Sequence, residues 1–155
     1  MAQPRLRLWP ADGPLRGADG KKTISVRYLD GAGNVSKAYA DTITLDTTGP
    51  TVSAVAAAPN PFPLGTTTTI GFRTADALSG SCPAEIRILD AASRLVRKLT
   101  KTASCPAGGR VTSVGWNGKN AGGALVTAGT YTIEVVATDA AGNASAAARG
   151  TVVAQ

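Results

Sequence analysis

The chain has 155 residues, a formal net charge of +6 and a pI near 9.8; 43% of it is apolar but only 5% is aromatic. That length holds one domain or one and a half, and an apolar content that leans on alanine leaves a thin core. There is no histidine, which removes His-based triads and a His general base, and no run of 18 apolar residues, which removes a helical membrane span.

In chain order, MAQPRLRLWP lacks the apolar stretch of a signal peptide, so Met1 is an internal start if the protein is exported. Leu6 and Leu8 alternate with Arg5, Arg7 and Trp9, a short strand at most. PADGPLRGADG follows as loop, with Pro10, Gly13, Pro14, Gly17 and Gly20 as breakers. Strands are expected at about 21–29 and 38–46. Three strands cannot make a sandwich, and a lone small sheet is marginal in water. Residues 1–48 therefore read as the last strands of a partial Ig-like unit whose earlier strands are missing. Otherwise this sheet docks on a neighbour or pairs between chains through an exposed edge. Residues 49–51 form a linker at Gly49-Pro50, stiff enough to hold two modules semi-rigidly.

Residues 52–155 hold enough strands for one sandwich, at about 51–57, 66–74, 84–90, 94–100, 110–116, 130–138 and 145–153. The 94–100 run, RLVRKLT, could equally be a turn and a half of helix. Inward candidates are Ile70, Phe72, Ile86, Ile88, Val114, Trp116, Tyr131, Ile133 and Val135. Arg73, Glu85, Arg87 and Glu134 fall on the outward side of the two-residue alternation. Eighteen glycines, nine prolines and turn signals every 8–15 residues favour an all-β fold. The expectation is an Ig-like β-sandwich of about seven antiparallel strands, preceded by the partial unit.

One stretch occurs twice. GKKTISVRYLDGAGNVS (20–36) aligns with GTYTIEVVATDAAGNAS (129–145) at a constant offset of 109. Each copy is an alternating strand closed by a turn of Asp30, Gly33 and Asn34, or of Asp139, Gly142 and Asn143. Asp and Asn bond their local backbone there, and Gly accepts positive φ. A second β-prone run follows each copy, so the repeated object is a hairpin.

Cys82 and Cys105 flank the strand pair at 84–99. A bond between them would staple the base of that hairpin, worth roughly 3 kcal/mol, and would imply an oxidising compartment; two free thiols are the alternative. Two cysteines without histidine cannot build a zinc site. The one tight basic group is Arg94, Arg97, Lys98 and Lys101, to which Arg87 adds. It could attract a cell-wall polymer or other anionic glycan, or be a solvated hairpin face. No aromatic residue interleaves it, which argues against a nucleic-acid platform.

Two stretches resemble known families. Residues 19–52, DGKKTISVRYLDGAGNVSKAYADTITLDTTGPTV, resemble the closing half of tandem Ig-like repeats in bacterial secreted and surface proteins. Residues 58–131 combine APNPFPLGTTTTIGF, ILDAASRLVRKL and VGWNGKNAGGALVTAGTY. They resemble the Ig-like module of the flagellar hook-capping protein (FlgD-type), also appended to many secreted bacterial proteins. The matching positions are Asn60, Pro61, Phe62, Asp90, Arg94, Val96, Trp116, Gly118, Gly122, Gly129 and Tyr131. Ser93 departs from the usual Gly, and the Cys82–Cys105 excursion is an addition; both point to a generic surface copy rather than the hook-capping protein itself.

No carboxylate pair, nucleophile–base pair or cofactor motif stands out, so the chain reads as non-catalytic and without cofactor. Asp30, Asp46 and Asp139 are the candidates for calcium, but no D-x-D cluster accompanies them. A structural spacer or adhesion module, outside the cell or on its surface, is the reading expected. A wall-polymer or glycan gripper, or a hook-cap-like scaffold assembling through exposed strand edges, is the alternative. The expected partners are neighbouring Ig-like modules.

Overall fold

The computed structural model describes residues 16–155 and the backbone of Arg5–Leu8. Trp9, Pro10, Gly13 and Pro14, expected in a strand end and a loop, lie outside the described residues. The described chain is built from ten strands: β1 (Arg5–Leu8), β2 (Gly20–Leu29), β3 (Tyr39–Leu45), β4 (Thr51–Ala58), β5 (Thr68–Ala75), β6 (Ser81–Leu89), β7 (Leu95–Ser104), β8 (Arg110–Trp116), β9 (Gly129–Ala137) and β10 (Ala148–Ala154). They divide between two compact units, Met1–Thr47 and Thr48–Gln155.

The first unit is an antiparallel sheet in the order β1-β2-β3. Val26 opposes Tyr39, and Ile24 and Ile43 lie on the same face, shared with Lys22 and Asp41. Tyr28 and Tyr39 meet edge to face at 5.9 Å, with the Lys37 ammonium 5.2 Å from the Tyr39 ring. Ile24 and Ile43 stay 38% exposed, because the described residues of this unit supply no second layer.

The second unit has that second layer. A four-stranded sheet, β10-β9-β6-β7, packs on a three-stranded one, β4-β5-β8, making the seven-stranded antiparallel sandwich of the Ig-like class. Alternation carries Ile70, Phe72, Cys82, Ile86, Ile88, Ile133 and Val135 inside, each no more than 1% exposed. At one end the core closes on three rings: Phe62 and Trp116 lie 5.4 Å apart, Trp116 and Tyr131 5.5 Å apart. The Trp116 indole N–H donates to the Lys119 carbonyl at 3.0 Å, and the Tyr131 hydroxyl to the Thr127 carbonyl at 2.7 Å. The apolar bodies are thus buried without orphaning the polar tips.

The 94–100 run is strand, not helix. It pairs with β6 from Ser81–Ser104 to Leu89–Leu95, since a ladder offered by β6 outweighs the short helical preference of RLVRKLT. The last strand starts at Ala148 rather than 145. Ser145 spends its amide on the Ala137 carbonyl (2.8 Å) and its hydroxyl on the Ala137 amide (3.0 Å), which extends the preceding turn.

The duplicated stretch is one hairpin twice over. β2–β3 pairs from Gly20–Leu45, and β9–β10 from Gly129–Ala154. The 109-residue offset therefore holds for the register, from Gly20–Leu45 and Gly129–Ala154 to Val26–Tyr39 and Val135–Ala148.

Candidate functional site

The repeated turn residues act on their own backbone. Asp30 Oδ1 accepts the amides of Ala32 (2.9 Å) and Asn34 (2.8 Å), while Oδ2 accepts from Asn34 Nδ2 (2.8 Å). Asp139 takes the Asn143 amide and Nδ2, both at 2.8 Å. Gly33 and Gly142 have φ of 90° and 93°, the left-handed residue of a three-residue hairpin loop. Two further turns, which the duplication does not flag, use the same geometry. Asp90 accepts the amides of Ala92 and Arg94 at 2.9 Å and Arg94 Nε at 2.8 Å, and Asn120 Oδ1 accepts the Ala124 amide at 3.1 Å.

These bonds set the local electrostatics. The Asn34 side chain and backbone donors hold the Asp30 carboxyl below the usual range, and the Arg94 backbone amide does so for Asp90. Burial pushes the Asp139 carboxyl up, but the bonds from Asn143, Ala141 and Gly142 outweigh it and leave the value lowered. Carboxylates so occupied offer a hard cation little unless the turn opens. Among the described residues, no group of three or more acidic, Cys or His side chains is placed to hold a metal.

Cys82 and Cys105 are disulfide-bonded, with Cα atoms 5.9 Å apart, and both are fully buried. Cys82 points into the core opposite Ala103; Cys105 lies just beyond the end of β7. The Cys105 amide donates to the Gly80 carbonyl (3.1 Å), and the Asp76 amide donates to the Cys105 carbonyl (3.0 Å). Asp76 in turn accepts the amides of Leu78 and Ser79 at 2.8 and 2.7 Å. The bond thus ties the hairpin base to the loop between the two sheets, and it points to an oxidising compartment.

The outer face of the four-stranded sheet carries a row of charge. Register sets Arg149, Glu134, Arg87 and Lys98 side by side across β10, β9, β6 and β7. Glu134 bonds Arg87 at 3.0 Å and Arg149 at 2.6 Å, and Lys98 pairs with Glu85. Although it faces outward as expected, Glu134 is only 7% exposed, because the two guanidinium groups cover it. Bonding to Arg149 outweighs burial and lowers its pKa.

The basic residues singled out in the sequence do not share one face. Arg87 and Lys98 lie in this row, while Arg94 is bonded within its turn. Arg97 donates to the Asn120 carbonyl at 3.0 Å, and Lys101 stands opposite the inward-facing Ala84. A shallow depression of about 710 Å³ lies beside the row, bordered by Glu85, Arg87, Thr100, Lys101, Glu134 and Thr138. Arg149 was not legible as a member, because only strand register brings it beside Glu134.

The positions shared with the hook-capping family converge in space. Phe62, Trp116 and Tyr131 form the ring cluster, and a side chain at Gly118 would stand 3.3 Å from the Phe62 ring. Residues 65–141 match the model of the FlgD Ig-like domain. The crystal structure of dimeric latent PorU from Porphyromonas gingivalis is similar at a TM-score of 0.50 and 23% identity. The likeness covers 89% of this chain and 13% of that one, and shows the fold alone. No curated protein matches. The match to the FlgD Ig-like domain thus falls within the second unit of this chain, over part of its sandwich.

Proposed function

We propose that the chain is a non-catalytic structural module, a spacer or adhesive scaffold of a bacterial secreted or cell-surface protein. One observation carries this reading: the turn aspartates and four of the outward-facing cations are engaged within the fold. Asp30, Asp90 and Asp139 hold their own turns, and Arg87, Arg94, Lys98 and Arg149 are ion-paired. The FlgD Ig-like match and the buried disulfide support it, the latter by fitting an exported protein. The shared hairpin of the two units supports a tandem arrangement, with the first unit as the closing half of an Ig-like repeat.

The test is binding of the chain to insoluble cell-wall fractions and acidic polysaccharides, at low and at about physiological salt. No retention, or retention lost with salt, is expected of a spacer. Saturable binding that survives salt would replace this reading with that of a polymer-gripping module, with Arg87 and Lys101 beside the depression as the residues to mutate first.

A further inference from the structure

An edge strand has no neighbour on one side, so a long side chain directed inward from it can leave between the two sheets and carry its charge to water. β7 is the last strand of the four-stranded sheet and β8 the last of the three-stranded one, and the two close the same side of the sandwich. Arg97 stands opposite Ile88 and Lys101 opposite Ala84, both inward-facing, while Arg110 stands opposite the buried Thr74. All three are therefore directed into the seam between the sheets. Lys101 and Arg110 are nevertheless exposed, and Arg97 is half-buried.

The seam is pinned at both ends. At one, the Ala121 amide donates to the Val96 carbonyl and Arg97 Nη1 to the Asn120 carbonyl, each at 3.0 Å, with Lys119 next in the chain. At the other, the Thr74 hydroxyl donates to the Ser104 carbonyl at 3.0 Å, and the Arg73 guanidinium bonds the Gly108 carbonyl in the β7–β8 loop. Between these pins β7 runs about 25 Å.

Charge is sorted across this unit, which holds nine cations and five carboxylates. Glu85, Asp90 and Glu134 take Lys98, Arg94, Arg87 and Arg149, while Asp76 and Asp139 accept amides of their own loops. Among the described residues, the cations of this unit left without a carboxylate are Arg73, Arg97, Lys101, Arg110 and Lys119. All five belong to the seam or its pinned ends. We propose that the β7–β8 seam is a track for a linear anionic polysaccharide, held by these five charges. The carbonyls bonded to Arg73 and Arg97 do not neutralise them, so both add to one continuous positive field. Phe62, Trp116 and Tyr131, the rings of this unit, are at most 6% exposed, so the bases of a nucleic acid would have nothing to stack on. A grip made by charge alone is released by salt and is compatible with a spacer.

Retention of the whole chain on immobilised polygalacturonate and dextran sulfate, at low and at about physiological salt, tests this, with dextran as the neutral control. Retention at low salt on either polyanion, falling as salt rises, and none on dextran, are expected. Lys101→Gln with Arg110→Gln, both exposed positions, should weaken binding about tenfold. Lys101→Gln with Lys119→Gln is the second pair if the first melts early. Arg94→Gln with Arg149→Gln removes the same formal charge from sites already paired to carboxylates, and should leave binding nearly unchanged. Equal losses in the two kinds of pair overturn the proposal, because net charge and not the seam would then do the binding. So does an oligonucleotide held more tightly than either polysaccharide. The track and the spacer fail separately. Salt-resistant retention that the Lys101 and Arg110 pair abolishes keeps the track and removes the spacer, whereas no retention at either salt removes the track and keeps the spacer.

Discussion

Gly150 on β10 lies directly under the carbonyl of Val55, so close that a Cβ there would stand 2.5 Å from the oxygen. The contact is where the bulged edge of β4 folds over onto the opposite sheet, and it leaves room for hydrogen alone. Gly150→Ala should destabilise the second unit by about 1–3 kcal/mol, as overpacking does. Gly71→Ala is the matched comparison: that position has open space and no left-handed φ, so alanine should be neutral or mildly stabilising. Urea denaturation of the two variants separates these outcomes, and equal effects would mean that the close approach carries no energy.

Among the described residues, Ser93 and Ala54 are the non-glycine residues with positive φ, at 59° and 53°. A side chain in that region costs about 1–2 kcal/mol. Ser93→Gly should therefore stabilise the β6–β7 hairpin by about 0.5–1 kcal/mol, once the added freedom of glycine in the unfolded chain is subtracted. Gly142→Ala, made at the equivalent place of the β9–β10 turn, should lower stability. Thermal melts that moved both variants the same way would contradict the turn geometry.

Removing the disulfide by Cys82→Ala with Cys105→Ala should cost about 3 kcal/mol by loop-closure entropy. Far-ultraviolet circular dichroism should keep its strand signal at low temperature while the melting temperature falls. A melt unchanged by the double substitution would show that the hairpin base is held by the Asp76 loop and its hydrogen bonds alone.

Acid should unfold the chain in a defined direction. Asp30, Asp90, Glu134 and Asp139 all have folded pKa values below their ordinary ones. A carboxyl so lowered stabilises the fold at pH above its unfolded pKa, and loses that contribution as pH falls through the folded pKa. Glu134→Gln should be less stable than the native chain near neutrality, with the gap closing in acid as Glu134 itself protonates. A gap that stayed constant down to low pH would mean that the Arg87 and Arg149 pairs do not discriminate between the two forms of the carboxyl.

Much of this fold was legible because its signals are local. Alternation placed Ile86, Ile88, Ile133 and Val135 inside, and the repeat of 20–36 at 129–145 marked two hairpins that share their register. What escaped depends on pairing across the chain. Proline-rich Asn60–Leu64 reads as a breaker, yet it runs alongside β10 and caps its edge. The turns at Asp90 and Asn120 lack the repeated A-G-N signature, so their kinship with Asp30 and Asp139 shows only in backbone bonds. Glu134 reads as a solvent-facing strand residue, and nothing in its neighbourhood of sequence announces that Arg87, 47 positions earlier, and Arg149 will close over it.

The parallel seam between Phe62–Leu64 and Val153–Gln155 has a mechanical consequence. Tension applied between Phe62 and Gln155 runs along the two sides of that seam and across its hydrogen bonds. The Phe62, Leu64 and Gln155 amide bonds are then loaded in shear together instead of being unzipped singly, with the Asn60 side chain adding its bonds to Thr151 and Val153. Under that load the last few residues and the proline-flanked segment beside them resist as one unit, while the disulfide keeps the β6–β7 hairpin from paying out length after the seam gives way.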